Sequence, residues 1–258
     1  MGEKLRDIQS EPDYRNLPID RVGVKDITYP VVVLDKNEGE QHTVAKINMY
    51  VNLPHNFRGT HMSRFIEILN KHRNGISTKK IRQILDDMKS ELNAETAHFE
   101  IEFPFFITKK APISKEPAKM EYQCKLTANS DDDYYSLSVI VPVLSVCPCS
   151  KEISKYGAHN QRSKLSATIR AKDRVWIEDI ISASEKSSSS DIYSILKRED
   201  EKHITEKSYE NPVFVEDMVR NAVLELKKIK GIIHISIESE NMESIHNHSA
   251  YAFIETDV

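Results

Sequence analysis

The spacing of apolar residues changes several times along this chain, and the order of those changes leaves room for few architectures. Strand-like text opens at YPVVVLD, around Val31–Leu34. It continues in TVAKINMYVNL, Thr43 to Leu53, where Val44, Ile47, Met49 and Val51 partly alternate. Two helical stripes follow. Met62, Phe65, Ile66 and Leu69 fall at i, i+3, i+4 and i+7, with Met62 and Phe65 expected in the core. Ile81, Ile84, Leu85, Met88 and Leu92 do much the same, opening at Ser77 or Thr78 as N-cap. Strands return over Ala97–Ile107, Met120–Ala128 and Tyr134–Val146, with ANSDDD as a hairpin loop before the last.

The rest of the chain repeats this order. KLSATIRAK, Lys164–Lys172, alternates as a strand, and VWIEDIISASE reads as a short helix. The serines Ser187–Ser190 read as a loop, with Ser190 or Asp191 capping another helix. Asn211-Pro212 reads as the start of the best helix, whose stripe is Val215, Met218, Val219, Ala222, Val223 and Leu226 and whose end is Gly231. Ile232–Glu238 and Ala250–Glu255 close the chain as strands. This is an α+β pattern of antiparallel hairpins and helix pairs. It divides into a polar, proline-interrupted arm at 1–22 and two modules, 23–130 and 131–258, which share no visible sequence identity.

Glycine narrows the function. There are 7 in 258 residues, at Gly2, Gly23, Gly39, Gly59, Gly75, Gly157 and Gly231. Scattered in this way, they build neither a Rossmann fingerprint nor a P-loop. A nucleotide, if bound, is bound without a glycine cradle. With 36 basic and 40 acidic side chains the formal net charge is -4, which speaks against a dedicated nucleic-acid binder. No apolar run of membrane-spanning length is present and the first twenty residues are polar, so neither a membrane span nor a signal peptide is expected. Three cysteines, Cys124, Cys147 and Cys149, suit reduced thiols in a cytoplasm better than a disulfide framework.

The densest chemistry lies in SVCPCSKEISKYGAHNQRS, Ser145–Ser163. A thiolate at a strand end and an imidazole from the following loop suit a borderline-soft divalent metal. Buried small side chains and a surface histidine would fit the same text. KREDEKHITE, Lys197–Glu206, offers carboxylates including Glu201, and a solvated helix face explains it equally. Glu216 lies early in the Asn211 helix, where a carboxylate complements the helix N-terminus or anchors the N–H edge of a heterocycle. Glu243, His246 and His248 crowd the last loop, suiting proton transfer or a plain hairpin turn. RGTHMSRF puts Thr60, His61, Ser63 and Arg64 around a helix start, suiting phosphate or ordinary capping.

Taken together, RNLPIDRVGVKDI, GTHMSRF, CPCSKEISKYGAHNQRS, KREDEKHITEKSYENPVFVEDMVR and IESENMESIHNHSAYA resemble the type IB GTP cyclohydrolases, in order and from about Arg15 to Ala252. The resemblance implies the tunnelling fold, two modules per chain, barrels assembled between subunits, and a cytoplasmic homotetramer with intersubunit active sites. It implies conversion of GTP to 7,8-dihydroneopterin triphosphate and formate, feeding folate and, in some organisms, queuosine synthesis. It implies one divalent metal per site, zinc, manganese or iron, held by Cys147, His159 and Glu201. It implies catalytic roles for Cys149, Glu243 and His246, with His246 helped by Glu243 in protonating N7. Glu216 and His248 would contact substrate, and Ser63, Arg64 and Arg162 are weaker matches for the triphosphate. Two rivals share part of the pattern: the nitrile reductase of queuosine synthesis, with a covalent cysteine and NADPH, and a non-catalytic metal-stabilised binding protein.

Overall fold

A computed structural model describes residues 7–9, 11–72 and 78–258 of the chain. Ser77, one expected N-cap, lies outside the described residues. The strands are β1 (Ile19–Asp35), β2 (Gly39–Leu53), β3 (Ala97–Lys110), β4 (Pro117–Asn129), β5 (Tyr135–Val146), β6 (Asn160–Ala171), β7 (Ser190–Asp191), β8 (Ile232–Met242) and β9 (Ser249–Asp257). The helices are α1 (Met62–His72), α2 (Thr78–Leu92), α3 (Pro148–Ile153), α4 (Ile177–Lys186), α5 (Arg198–Glu210) and α6 (Val215–Leu226). The strands run in the order β1-β2-β3-β4-β5-β6-β8-β9, with β7 pairing onto the end of β5. The expected α+β class is therefore observed, and the pairings β1–β2, β2–β3, β5–β7, β6–β8 and β8–β9 are all antiparallel. β1 begins earlier than its apolar text, so residues 19–22 of the expected arm are strand.

Two compact units are formed, one within Met1–Phe103 and Lys125–Tyr135, the other within Pro104–Cys124 and Ser136–Val258. In the first, Phe65, Ile68 and Leu69 of α1 and Ile81, Ile84, Leu85 and Met88 of α2 are buried, as are Ile47, Met49, Phe99 and Ile101 of the strands. Burying each such side chain contributes roughly 1.5–3 kcal/mol. Met62 departs from expectation: it opens α1 at 39% exposure and contributes little to the core. Gly23 is one glycine the fold needs for space, since a Cβ there would lie 2.0 Å from the Met49 carbonyl oxygen.

In the second unit α4 and α6 pack together, α4 against β6 and α6 against β8 and β9. Ile180, Met218, Ala222 and Leu226 face Leu165, Ala167, Ile169, Ile235 and Ile237, all fully buried. Lys109 is set among Glu185 at 2.7 Å, Asp191 at 2.9 Å and the ring of Tyr193 at 4.3 Å. Tyr122 adds a hydroxyl donated to Glu185 at 2.9 Å. Burial alone would raise the Asp191 pKa, but the Lys109 charge and hydrogen bonds from Tyr193, Lys109 and Lys207 hold it well below the usual carboxylate range.

Ser187–Ser189 form the expected loop, closing into β7 at Ser190, and the loop is buried because its hydroxyls bond back into the fold: Ser187 and Ser188 to helix carbonyls, and Ser189 Oγ accepts from Val146 N–H at 3.0 Å. Three local expectations are corrected. No helix starts at Ser190 or Asp191; the next is α5, eight residues on. Asn211 ends α5 and does not begin α6. Its N–H donates to Lys207 O and its amide to Ser188 O at 3.0 Å, while α6 starts at Val215 behind Phe214. At the other end α6 stops at Leu226, short of Gly231.

Candidate active site

The Cys-Pro-Cys-Ser text makes a corner, not merely a strand end. Cys147 is the N-cap of α3 and its Sγ accepts the Ser150 N–H at 3.4 Å. Pro148 follows, where a missing N–H costs nothing. Ser150 Oγ donates to the Cys147 carbonyl at 3.1 Å and accepts the His159 N–H at 3.1 Å. Cys147 N–H in turn donates to the His159 carbonyl at 3.1 Å. Cys147 and His159 are thus tied backbone to backbone, with one serine between them. Behind the corner, Val146 O accepts from Val213 N–H at 3.1 Å.

A cleft of about 220 Å³ opens beside this corner, and Cys147, Gln161, Val213, Glu216, Asn241 and Glu243 are among its lining residues. Glu216 is the second residue of α6 and is exposed, as a first-turn carboxylate should be. Glu243 follows β8 at the start of its hairpin to β9 and stands 3.8 Å from His159 Nδ1, with both side chains largely covered. Farther along that hairpin, His246 and His248 are exposed and their rings stack at 5.1 Å. Cys149 is exposed on α3, and Arg162 on the outer face of β6. The third cysteine, Cys124, is buried, and burial together with the Glu178 charge pushes its thiol up, so it is not a nucleophile.

Glu201 is placed by its neighbour. Asp200 is fully buried and accepts from Ile113 N–H at 2.8 Å, Ser114 N–H at 2.9 Å, Ser114 Oγ at 2.6 Å and Lys197 N–H at 2.9 Å. Burial would raise its pKa, yet these donors outweigh burial and lower it. With Asp200 turned in, Glu201 turns out and is exposed. Among the described residues no three His, Cys, Asp or Glu side chains stand close enough together to hold a metal ion. The donor chemistry of the Cys147–His159 pair nonetheless fits one: a thiol capped by an N–H, and an imidazole whose Nδ1 is engaged by Gln161 at 3.0 Å. Ser63 and Arg64 belong to the first unit, exposed on the first turn of α1, where Arg64 donates to the Glu91 carbonyl at 2.9 Å.

Sequence reasoning missed the floor of the cleft. Ser145, Gln161 and Asn241 line it, Ser239 is bonded to Asn241, and the four are buried at 1, 5, 2 and 0% exposure. They lie on the same strand phase as Val143, Leu165 and Ile237, which are core. Polar residues on an apolar phase, clustered at one end of three strands, were the available signal.

The architecture matches solved uricases. A uricase from Arthrobacter globiformis superposes with TM-score 0.53 at 8% identity, covering 93% of both chains. A urate oxidase from Bacillus sp. TB-90 does so with TM-score 0.51 at 11% identity, over 93% of this chain and 99% of that one. At such identities the likeness speaks for the fold alone, and that fold is the tunnelling fold. Sequence is more specific. A family model described as type I GTP cyclohydrolase folE2 matches residues 5–252. A GTP cyclohydrolase FolE2 of Pelobacter propionicus is 54% identical over 98% of this chain and 99% of its own, and one of Geotalea uraniireducens is 57% identical over 98% and 94%. The chain belongs to the folE2 family of type I GTP cyclohydrolases.

Proposed function

We propose that this protein is a type IB GTP cyclohydrolase, opening the guanine ring of GTP at C8 to give 7,8-dihydroneopterin triphosphate and formate. The observation that carries the reading is the cleft that gathers Cys147, Glu216 and Glu243 beside His159, in a chain matched to the family over residues 5–252. Glu216, at the open start of α6, accepts the N–H edge of the guanine, a charge-assisted contact that adenine cannot return. His246, on the exposed hairpin, delivers a proton to N7 as the ring opens. Glu243, three residues before His246 on the same hairpin, helps that proton transfer, and at 3.8 Å its charge also acts on the His159 imidazole. Cys149, exposed one residue past Pro148, completes the reacting group.

Cys147 and His159, tied together at the corner, would hold a divalent metal, zinc, manganese or iron, and Glu201, which the single chain does not bring into a three-ligand group with them, would join them in the assembled site. When bound, such an ion supplies Lewis acidity and a nucleophile at neutral pH. Ser63, Arg64, Arg162 and His248 are assigned to the triphosphate and the substrate rim. The working form is a cytoplasmic homotetramer with active sites between subunits, and the product serves folate-type pterin synthesis, with queuosine synthesis as a second outlet. Among the described residues no helix is long and apolar enough to cross a membrane.

Purified protein given GTP and a divalent metal should release formate and, after oxidation, a fluorescent pterin. Binding of GTP with no formate, or NADPH oxidation by a covalent cysteine adduct, would overturn the reading.

A further inference from the structure

The floor of the cleft is a chain of hydrogen bonds whose direction can be worked out from one atom. Ser145 Oγ lies 3.1 Å from the Val213 carbonyl oxygen, which can only accept, so the single hydroxyl proton of Ser145 is spent there. The two remaining neighbours of that oxygen must then donate. They are Gln161 Nε2 at 3.3 Å and Asn241 Nδ2 at 3.4 Å. This fixes both amides. Gln161 presents Oε1, not its NH2, to His159 Nδ1 at 3.0 Å. Asn241 presents Oδ1 to Ser239 Oγ at 3.1 Å, a nearer and stronger acceptor for that hydroxyl than the Met218 thioether at 3.4 Å. An acceptor at Nδ1 requires the proton on Nδ1, and the Glu243 carboxylate 3.8 Å from the same nitrogen favours it by charge. In the neutral imidazole Nε2 then keeps its lone pair.

We propose that Gln161 is a positioning residue, held by Ser145 and Asn241, that locks His159 in the Nδ1–H tautomer so that Nε2 is always ready to bind a divalent metal. The proposal rests on the metal reading above for its purpose, but the tautomer stands on this hydrogen-bond chain alone. The carbonyl that sets the direction belongs to Val213, two residues before α6, so the segment presenting Glu216 and the imidazole share one oriented network. Packing alone would not select such residues: all the groups are buried, and an apolar residue would fill each place with less cost.

The test uses full-length, metal-free protein labelled with 15N-histidine, read by solid-state NMR, with His159→Gln to identify the resonance by difference. The expected spectrum has His159 protonated at Nδ1 and bare at Nε2. Gln161→Met, close in shape but with no oxygen at Nδ1, should give a mixed or reversed tautomer and weaken Zn2+ binding, read by chelator competition, by roughly 10–100-fold. Gln161→Glu keeps the acceptor and should keep the proton on Nδ1, although it loses the donor to Ser145. Ser145→Ala frees the Gln161 amide to turn over and should also mix the tautomers, which decides the matter if the methionine variant does not fold. Wild-type His159 protonated at Nε2, or unchanged tautomer in folded Gln161→Met or Ser145→Ala, overturns the proposal. Should the tautomer behave as expected while Zn2+ binding is indifferent to His159→Gln, the metal reading falls and the positioning of the imidazole stands.

Discussion

The floor and the rim of the cleft are built on opposite plans. The floor residues Ser145, Gln161 and Asn241 are buried, sit on three strands, and each is bonded to another member of the set. The residues proposed as the rim are exposed: Glu216, which lines the cleft at a helix start, Cys149 on the short helix, and His246 and His248 on the hairpin turn. The difference separates two needs of one site. Groups that must hold an orientation are placed where a wrong orientation leaves a buried polar atom unpaired. Groups proposed to meet a substrate and exchange protons stand where solvent and ligand can reach them.

If that division is right, substitutions at the two levels should fail in different ways. The largest effect belongs to the rim: His246→Asn should lower kcat by roughly 10²–10⁴-fold while the urea midpoint stays where it was. A stability loss with activity intact would dissolve the distinction. Next comes the floor. Asn241→Leu removes the donor to Ser145 and the acceptor of Ser239 without opening a cavity. It should destabilise the fold by about 1–3 kcal/mol, read from urea unfolding; unaltered stability would mean the floor is not an ordering device.

The smallest effect concerns acid. Asp191 and Asp200 have lowered pKa values in the fold, so their stabilising contribution is fully present above the unfolded carboxylate value near ~3.9. It is lost as pH falls through the lower folded values. Asp191 directly follows the serine segment that bonds Val146, just before Cys147, so this loss loosens the support of the floor. Stability should therefore be flat near neutrality and decline below about pH 5, with a shallower decline in Asp191→Asn. An identical acid slope in that variant would disconnect Asp191 from the support.

Much of this was legible because burial writes itself into spacing. The stripes of α1, α2 and α6, and the alternation of β3, β5 and β6, are recorded in the sequence as periods. Where capping or polar bonding decides the structure, periods say nothing. α3 has no buried residue and rests on the Cys147 thiol, Pro148 and Ser150, so it was missed. Asn211-Pro212 carries the residues of a helix start, yet the Asn211 amide is occupied by Ser188, which only the folded chain reveals. The site divides in the same way. Cys147, His159, Glu216 and Glu243 stood out by residue type but took their roles from the family resemblance; the fold puts Cys147, Glu216 and Glu243 on one cleft and His159 3.8 Å from Glu243. Gln161, Ser145 and Asn241 look unremarkable one at a time, and their meaning is collective.

The Val213 carbonyl has a consequence for how the site can change through descent. Side chains are what mutation edits, and each amide or hydroxyl in the floor can be lost in a single codon. A peptide oxygen survives any replacement at its position as long as the backbone keeps its course. The sense of the whole hydrogen-bond chain is therefore written into the part of the molecule that point mutation does not rewrite. Lineages can vary the rim and explore new substrates while inheriting the same compass beneath it.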